Sequence, residues 1–350
     1  MKFEATTIKD IAKALNVSTS TVSRALQNHY AISEKTKKLV LDYAEKIHYS
    51  PNPAALSLKD RKTLTIGIVV CEIANSFFSQ VINGVESLAS EKGYNVIISQ
   101  THESYEKEVE NINFLSSRSI DGLLISISAE TDNINHITKL HERGLPIVFF
   151  DRILPDIKTH SVVVDNFRGA FDATSHLLRQ GYKKIAAITG SEFLSISKER
   201  LSGYKAALKH HGIEPNEKMI KSCFYAGMKF FELDVVMDEL LNQDEKPDAI
   251  FASSDKLTSE CLNYLKRHNI RIPKEIALAG FSNSDLGHLL DPPITSIRQP
   301  AFEMGKTAAE LLLQIIKSKR PVTDFERRIF VPELIIRESS AKPKAKKSIK

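Results

Sequence analysis

Thr7-Ile8-Lys9-Asp10-Ile11-Ala12-Lys13-Ala14-Leu15 is followed by Asn16-Val17-Ser18 and then by Thr19-Ser20-Thr21-Val22-Ser23-Arg24-Ala25-Leu26. Ile8, Ile11, Ala12 and Leu15 fall at i, i+3, i+4 and i+7, one apolar face of a helix. Thr7 is suited to cap that helix, with Asp10 as its capping-box partner. Ser18 is suited to cap the next helix, which turns Val22, Ala25 and Leu26 inward and leaves Thr19, Ser20, Ser23 and Arg24 outward. Ser33 opens a third helix whose Thr36, Val40, Tyr43, Ala44 and Ile47 face the first two. The spacing predicts a small all-α unit over residues 1–50, with its first two helices joined by a tight turn.

A tight turn followed by a hydroxyl-rich helix that carries an arginine is the pattern of a helix-turn-helix DNA reader. Thr19 and Ser20, at the start of the second helix, are placed to reach base edges. Arg24 can donate two hydrogen bonds to guanine. Thr7, Ser18, Thr21, Ser23 and the amides at the helix starts suit phosphates, which set position rather than sequence. Lys35, Lys37 and Lys38 open the third helix and are expected to reach phosphates as well. Residues 1–62 hold eleven Lys/Arg against six acids, and the last ten residues hold five Lys and no acid. With a net charge of +5, the middle of the chain is left at −5. Basic ends on an acidic body fit a polyanionic partner at the ends and something else in the middle.

Residues 51–63 read as a hinge. Asn52 can cap a short helix that begins at Pro53, where proline is tolerated best. A helix of half a dozen residues does not hold by itself in water, so it is expected to order only when two copies meet on DNA. Leu58 is the candidate wedge for a minor-groove base step.

From Thr65 the pattern alternates. Strand-like runs are Thr65–Val70, Asn95–Ser99, Gly122–Ile127, Ile147–Asp151, Val162–Asp165, Lys184–Thr189, Ala249–Ser253 and Ile276–Phe281. Amphipathic helical stretches cover 77–92, 106–118, 133–143, 168–180, 200–211, 230–242, 256–268 and 301–317. The predicted fold class is therefore α/β: parallel sheets flanked by helices, in two lobes, over residues 64–340. Residues 341–350 read as a basic disordered tail. Ligands in such folds sit at the carboxyl ends of strands. Those ends carry Asn75-Ser76-Phe77-Phe78, Asp151-Arg152, Asp165-Asn166, Ser254-Asp255 and Ser282-Asn283, and Arg200 opens a helix. Carboxylates, amides and an arginine near aromatic rings suit a polyhydroxy ligand.

Other classes lack their marks. Cys71, Cys223 and Cys261 are scattered at no metal-like spacing, which fits buried thiols in a reducing cytoplasm. No signal peptide or membrane-span length of apolar residues is apparent, so a cytoplasmic protein with no membrane partner is expected. There is no G-x-S-x-G elbow, P-loop, G-x-G-x-x-G or HExxH, and the eleven histidines show no ligand spacing. No enzyme activity, cofactor or metal is expected. The alternative reading is a periplasmic-type sugar-binding protein without a regulatory role.

Taken together, these residues resemble the lactose/galactose repressor family of bacterial transcription regulators. The likeness rests on Thr7–Ala12, Val17-Ser18, Thr21–Arg24, Ile32-Ser33, Tyr49–Asn52, Asn75–Phe78, Asp121–Leu124, Phe150–Arg152, Arg200–Tyr204, Ala279–Phe281 and Thr295–Pro300. The resemblance implies a homodimer on double-stranded DNA at a near-palindromic operator. It implies hinge helices in the central minor groove, with Asn52, Ala55 and Leu58 at the DNA. It implies a periplasmic-binding-protein-like domain whose chain crosses between lobes near residues 163, 292 and 324. Effector contacts would fall on Phe77, Phe78, Asp151, Arg200, Ser254, Asp255 and Ser282. Sugar-utilisation control follows as the expectation, with a nucleobase as the lesser alternative. Three positions depart from the family pattern. Ser282 stands where Asp is usual, Ser254 where Asn is common, and Leu56 where a polar residue is usual.

Overall fold

The computed structural model describes residues 6–49, 62–154, 156–225 and 231–341. The chain divides into Met1–Thr63 and Leu64–Lys350. The hinge residues Asn52, Ala55, Leu56 and Leu58, and the tail after residue 341, lie outside the described residues.

The first unit contains α1 (Ile8–Leu15), α2 (Thr19–Leu26) and α3 (Glu34–Lys46). Ile11, Ala12, Val22, Ala25, Val40 and Ala44 form its core. The hydroxyl and the amide of Thr7 both donate to the Asp10 carboxylate, at 2.7 and 2.8 Å. These bonds hold the Asp10 carboxyl below its usual pKa. Ser18 and Ser33 accept from the amides of Thr21 and Thr36. Asn16, in the left-handed region at φ 50°, ends α1 and makes the tight turn.

The second unit runs β1 (Thr65–Val70), α4 (Ser76–Glu91), β2 (Asn95–Gln100), α5 (Tyr105–Ser117), β3 (Gly122–Ile125), α6 (Asn135–Glu142), β4 (Ile147–Phe150), β5 (Ser161–Val164) and α7 (Asn166–Arg179). It continues with β6 (Ile185–Thr189), α8 (Ser195–His210), β7 (Ile220–Ser222), α9 (Glu232–Asn242), β8 (Ala249–Ala252), α10 (Asp255–Arg267) and β9 (Ala277–Phe281). Last come β10 (Thr295–Arg298), α11 (Ala301–Lys317), β11 (Arg327–Phe330) and β12 (Glu333–Ile335). Among the described residues these strands form two six-stranded sheets, in the orders β11-β5-β4-β3-β1-β2 and β12-β10-β9-β8-β6-β7. All pairings are parallel except β10 with β12.

Apart from Thr65, the first residue of β1, the central strands are buried along their whole length, as expected of a parallel sheet covered on both faces. In lobe 1, built on the first of these sheets (lobe 2 is built on the second), residues of α4 and α11 pack in one core, while residues of α5 and α6 pack in another. In lobe 2, α9 and α10 contribute to one core and α7 and α8 to the other. Helices α4 and α11 meet closely. A Cβ on Gly84 would lie 2.0 Å from the Phe302 carbonyl oxygen, and one on Gly305 would lie 2.1 Å from that of Val81.

Strand membership fixes the crossings. The chain leaves lobe 1 between Val164 and Asn166, returns between Arg298 and Ala301, and leaves again between Phe330 and Glu333. The crossings expected near 292 and 324 are corrected accordingly, each by several residues. The cause is the short polar strands β10, β11 and β12, whose alternation is too brief to mark them in the sequence.

Candidate functional sites

In the first unit, the capped start of α2 gathers three hydroxyls. Ser18 Oγ lies 2.8 Å from both Ser20 Oγ and Thr21 Oγ1. Thr19, Ser20 and Arg24 are exposed, and Ser23 is half-buried. This face offers hydroxyls, a guanidinium and the N-terminus of a helix to one partner, which is the chemistry of base and phosphate recognition. Two expectations change. Lys37 is 7 % exposed and bound to Glu34 at 2.7 Å, so it is not free for a phosphate, whereas Lys35 and Lys38 are exposed. The hydroxyl proton of Thr7 is spent on Asp10, so in this conformation Thr7 offers a phosphate no donor.

In the second unit, the loops after the strands of both sheets hold the polar residues. Asp151 follows β4 in the left-handed region, at φ 59°, and is 5 % exposed. Burial pushes its carboxyl up, and the charges of Arg152 and Arg200 pull against that shift. Arg200 lies in the second turn of α8, not at its start, because Ser195 opens that helix. Its Nε donates to Asn166 Oδ1 at 2.8 Å, Nη1 to the Ser253 carbonyl at 2.6 Å and Nη2 to Gln299 Oε1 at 3.1 Å. Burial lowers its pKa to about 10, so it remains a cation at neutral pH.

The other expected contacts take different roles. Ser254 caps α10 by accepting from Leu257. Ser282 Oγ donates to Asp255 Oδ1 at 2.6 Å, so the carboxylate missing at 282 is supplied from 255. Burial pushes Asp255 up, while bonds from the Ser282 hydroxyl and the Ser76 and Asn283 amides lower it. Phe77 and Phe78 are buried in the lobe 1 core, where Phe78 meets Phe150 edge to face with centroids 6.4 Å apart.

Sequence reasoning missed two buried carboxylates. Glu103 binds Arg152 through both oxygens, at 2.6 and 2.8 Å, and accepts from the Ala129 amide at 2.7 Å. Glu108 accepts from the Ser128 amide, Thr131 Oγ1 and His136 Nε2 at 2.6, 3.0 and 2.9 Å. Together they fasten the loop after β3. Glu108 shares an i, i+4, i+7 stripe with Ile112 and Leu115, a signal that would have placed it inside; Glu103 carries none. At the strand ends Ser126 Oγ, Thr189 Oγ1 and Arg152 Nε are buried without a hydrogen-bond partner among the described residues. Buried polar groups normally have one, so these have capacity to spare for a ligand. A cavity of about 640 Å³, whose lining includes none of these three residues, opens past the ends of β1, β2 and β3. It is lined by Glu72, His102, Tyr105, Glu130 and Asp132 of lobe 1 and by Tyr225 of lobe 2. That size suits a small molecule.

Residues 7–52 match the family described as bacterial regulatory proteins, lacI family, and residues 174–340 match a periplasmic binding protein-like domain. The HTH-type transcriptional repressor PurR of Vibrio atlanticus is 33% identical over 338 residues, 95% of this chain and 98% of its own length. The chain belongs to the lacI family of bacterial regulatory proteins. The HTH-type transcriptional repressor CytR of Escherichia coli is 34% identical over 96% of each chain. Among solved structures, the complex of the transcriptional regulator CelR with cellobiose superposes with a TM-score of 0.71. It has 28% identity and covers 95% of this chain and 99% of its own. The lac repressor dimer bound to operator and the anti-inducer ONPF has a TM-score of 0.80 at 20% identity, over 97% and 100% of the two chains, and shows the shared fold.

This LacI-family chain is a sequence-specific DNA-binding transcription regulator and not an enzyme. Among the described residues no helix is long and apolar enough to cross a membrane, and no group of three or more His, Cys, Asp or Glu could hold a metal ion. Cys71, Cys223 and Cys261 are buried free thiols.

Proposed function

We propose that the chain is a cytoplasmic repressor that binds a near-palindromic operator as a homodimer and is gated by a neutral carbohydrate held between the two lobes. Thr19, Ser20 and Arg24 read bases, while Ser18, Thr21 and Ser23 seat phosphates. Asn52, Ala55 and Leu58 form the hinge contact, with Leu58 in the minor groove. Asp151, Arg200 and Asp255 are the charged groups of the effector site, with Phe77, Phe78, Ser254 and Ser282 around them.

One observation carries the effector reading. Buried opposite charges at Asp151 and Arg200 stand with the unpartnered Ser126 and Thr189 hydroxyls at the carboxyl ends of two sheets. A carboxylate and a guanidinium bind paired hydroxyls bidentately. The carboxylates of Glu72, Glu106, Glu130 and Asp132 around the cavity past the ends of β1, β2 and β3 disfavour an anion, such as a sugar phosphate, that approaches by that side. The CelR structure at 28% identity holds cellobiose, which fits this reading.

The test is fluorescence anisotropy with DNA flanking the protein's own coding region, titrated with neutral mono- and disaccharides, sugar phosphates and nucleobases. A neutral sugar is expected to change the affinity tenfold or more, a coupling of about 1.4 kcal/mol. A response to nucleobases alone would replace the carbohydrate reading, and absence of sequence-specific binding would overturn the operator.

A further inference from the structure

Gln80 lies in the second turn of α4 in lobe 1, and Asn283 follows β9 in lobe 2. Two hydrogen bonds join them across the cleft. Asn283 Nδ2 donates to Gln80 Oε1 at 2.9 Å, and Gln80 Nε2 donates to the Asn283 carbonyl at 3.0 Å. Asn283 is 1 % exposed and is used again. Its Nδ2 also donates to the Gln299 carbonyl at 2.7 Å, and its Oδ1 accepts from the Gln299 amide at 3.1 Å. Gln299 stands where the chain passes from β10 to α11, that is, at a crossing between lobes. Its side-chain oxygen accepts from Arg200 Nη2. A continuous hydrogen-bonded line thus runs from a helix of lobe 1, through a lobe crossing, to the buried guanidinium.

We infer that Gln80 is a positioning residue for the effector site: acting through Asn283 and Gln299, it couples closure of the lobes to the orientation of Arg200. This rests on the assignment of Arg200 to that site. The chemistry fits a reversible clasp. Gln80 and Asn283 are both neutral amides, so each can donate and accept, and parting them exposes no charge. Water can replace both bonds when the lobes separate. Beside them the Asp255 carboxyl of lobe 2 faces the Ser76 amide at the start of the same helix, which adds a second contact across the cleft. In a closed clasp Asn283 is anchored to lobe 1 through its Nδ2 and its carbonyl while its side chain also holds the Gln299 backbone. With the clasp open, Asn283 loses both bonds to lobe 1 and keeps only those to the Gln299 backbone, so Asn283, the Gln299 it holds and the Arg200 fork that rests on Gln299 are all less firmly placed.

The experiment uses the full chain without effector or DNA. Hydrogen exchange is followed by mass spectrometry on peptides covering 281–284 and 297–301, and the Arg200 Nε–H is followed by NMR after ¹⁵N-arginine labelling. That signal is assigned by its loss in Arg200→Lys. In Gln80→Leu both the peptide amides and the Arg200 Nε–H are expected to exchange at least tenfold faster, while peptides from β1, β3 and β8 keep wild-type rates. An unchanged Arg200 Nε–H in Gln80→Leu overturns the inference, even if the neighbouring amides loosen. Gln80→Glu keeps the acceptor toward Asn283 Nδ2 and loses the donor. It serves with the same two readouts should Gln80→Leu fail to fold. Neither readout needs DNA or a sugar, so failure of the operator or carbohydrate assignment leaves this result standing, and the converse also holds.

Discussion

The guanidinium carbon of Arg200 lies 3.8 Å from the centroid of the Phe281 ring. The ring occupies one face of the cation, and three of its N–H groups are bound at the edge, so its direction is fixed and two N–H groups remain for a ligand. Lysine keeps the charge but has neither the planar fork nor the stacking face. Arg200→Lys is expected to reduce effector coupling at least tenfold while leaving effector-free operator affinity within twofold. Anisotropy titration of operator DNA with and without the active sugar measures both.

At the other end of the chain, Arg24→Ala is expected to weaken operator binding by roughly 1–3 kcal/mol, the discrimination one bidentate arginine–guanine pair supplies. Binding to scrambled DNA should change far less. Competition assays with the two duplexes give the ratio directly. Log affinity should fall linearly with log salt in wild type and variant alike.

Gly84→Ala asks two helices to separate, since the new methyl would meet a backbone oxygen that cannot rotate away. A cost of about 1–3 kcal/mol is expected. Gly305→Ala strains the same crossing, so the double variant should cost less than the sum of the two. Urea denaturation of the three variants checks this.

Glu103→Gln leaves buried Arg152 with only Asp151, 3.8 Å from its Nε, as counter-charge, and an unfolding loss of about 3 kcal/mol is expected. Replacing both partners with apolar residues should recover much of it. Burial pushes the Glu103 carboxyl up, but Arg152 and the Ala129 amide outweigh that and hold it below the usual carboxylate range. A depressed carboxyl stabilises the fold above its unfolded pKa and loses that contribution as pH falls through the folded one. The acid limb of stability should therefore flatten in Glu103→Gln, as read from urea midpoints at successive pH values.

His160 predicts a second pH effect. Its Nδ1 accepts from the Glu326 amide at 2.8 Å, next to β11, which requires the neutral ring. Burial lowers its pKa. A histidine depressed in the fold favours the native state above its unfolded pKa of about 6.5, and that contribution is lost as pH falls below it. Gln offers an acceptor with no titration, so His160→Gln should show a smaller loss of urea midpoint between neutral and mildly acidic pH than wild type.

Much of this was legible where local chemistry decides the outcome. The first two helices, β1 and α11 lie where caps and periodicity place them, because Thr7, Ser18 and Ala301 begin runs with one consistent period. Strands such as Arg327-Arg328-Ile329-Phe330 were not legible. They are edge strands, mostly exposed, and only a neighbour's hydrogen bonds make them strands. The sites divide the same way. Asp151 could be named from the polar residue that ends a strand, whereas Arg200 reads in the sequence as the start of a helix and lies one turn inside it. The pairing of Asp255 with Ser282 and the capture of Lys37 by Glu34 depend on distances that no spacing encodes.

The final two strands lie only two residues apart in the chain, yet each borders a different sheet. A stop codon just before Arg327 would therefore strip an outer strand from both halves of the molecule at once. Neither half is a contiguous stretch of the gene, so no single cut can yield one of them intact. The whole second unit must be made, inherited and lost as one piece.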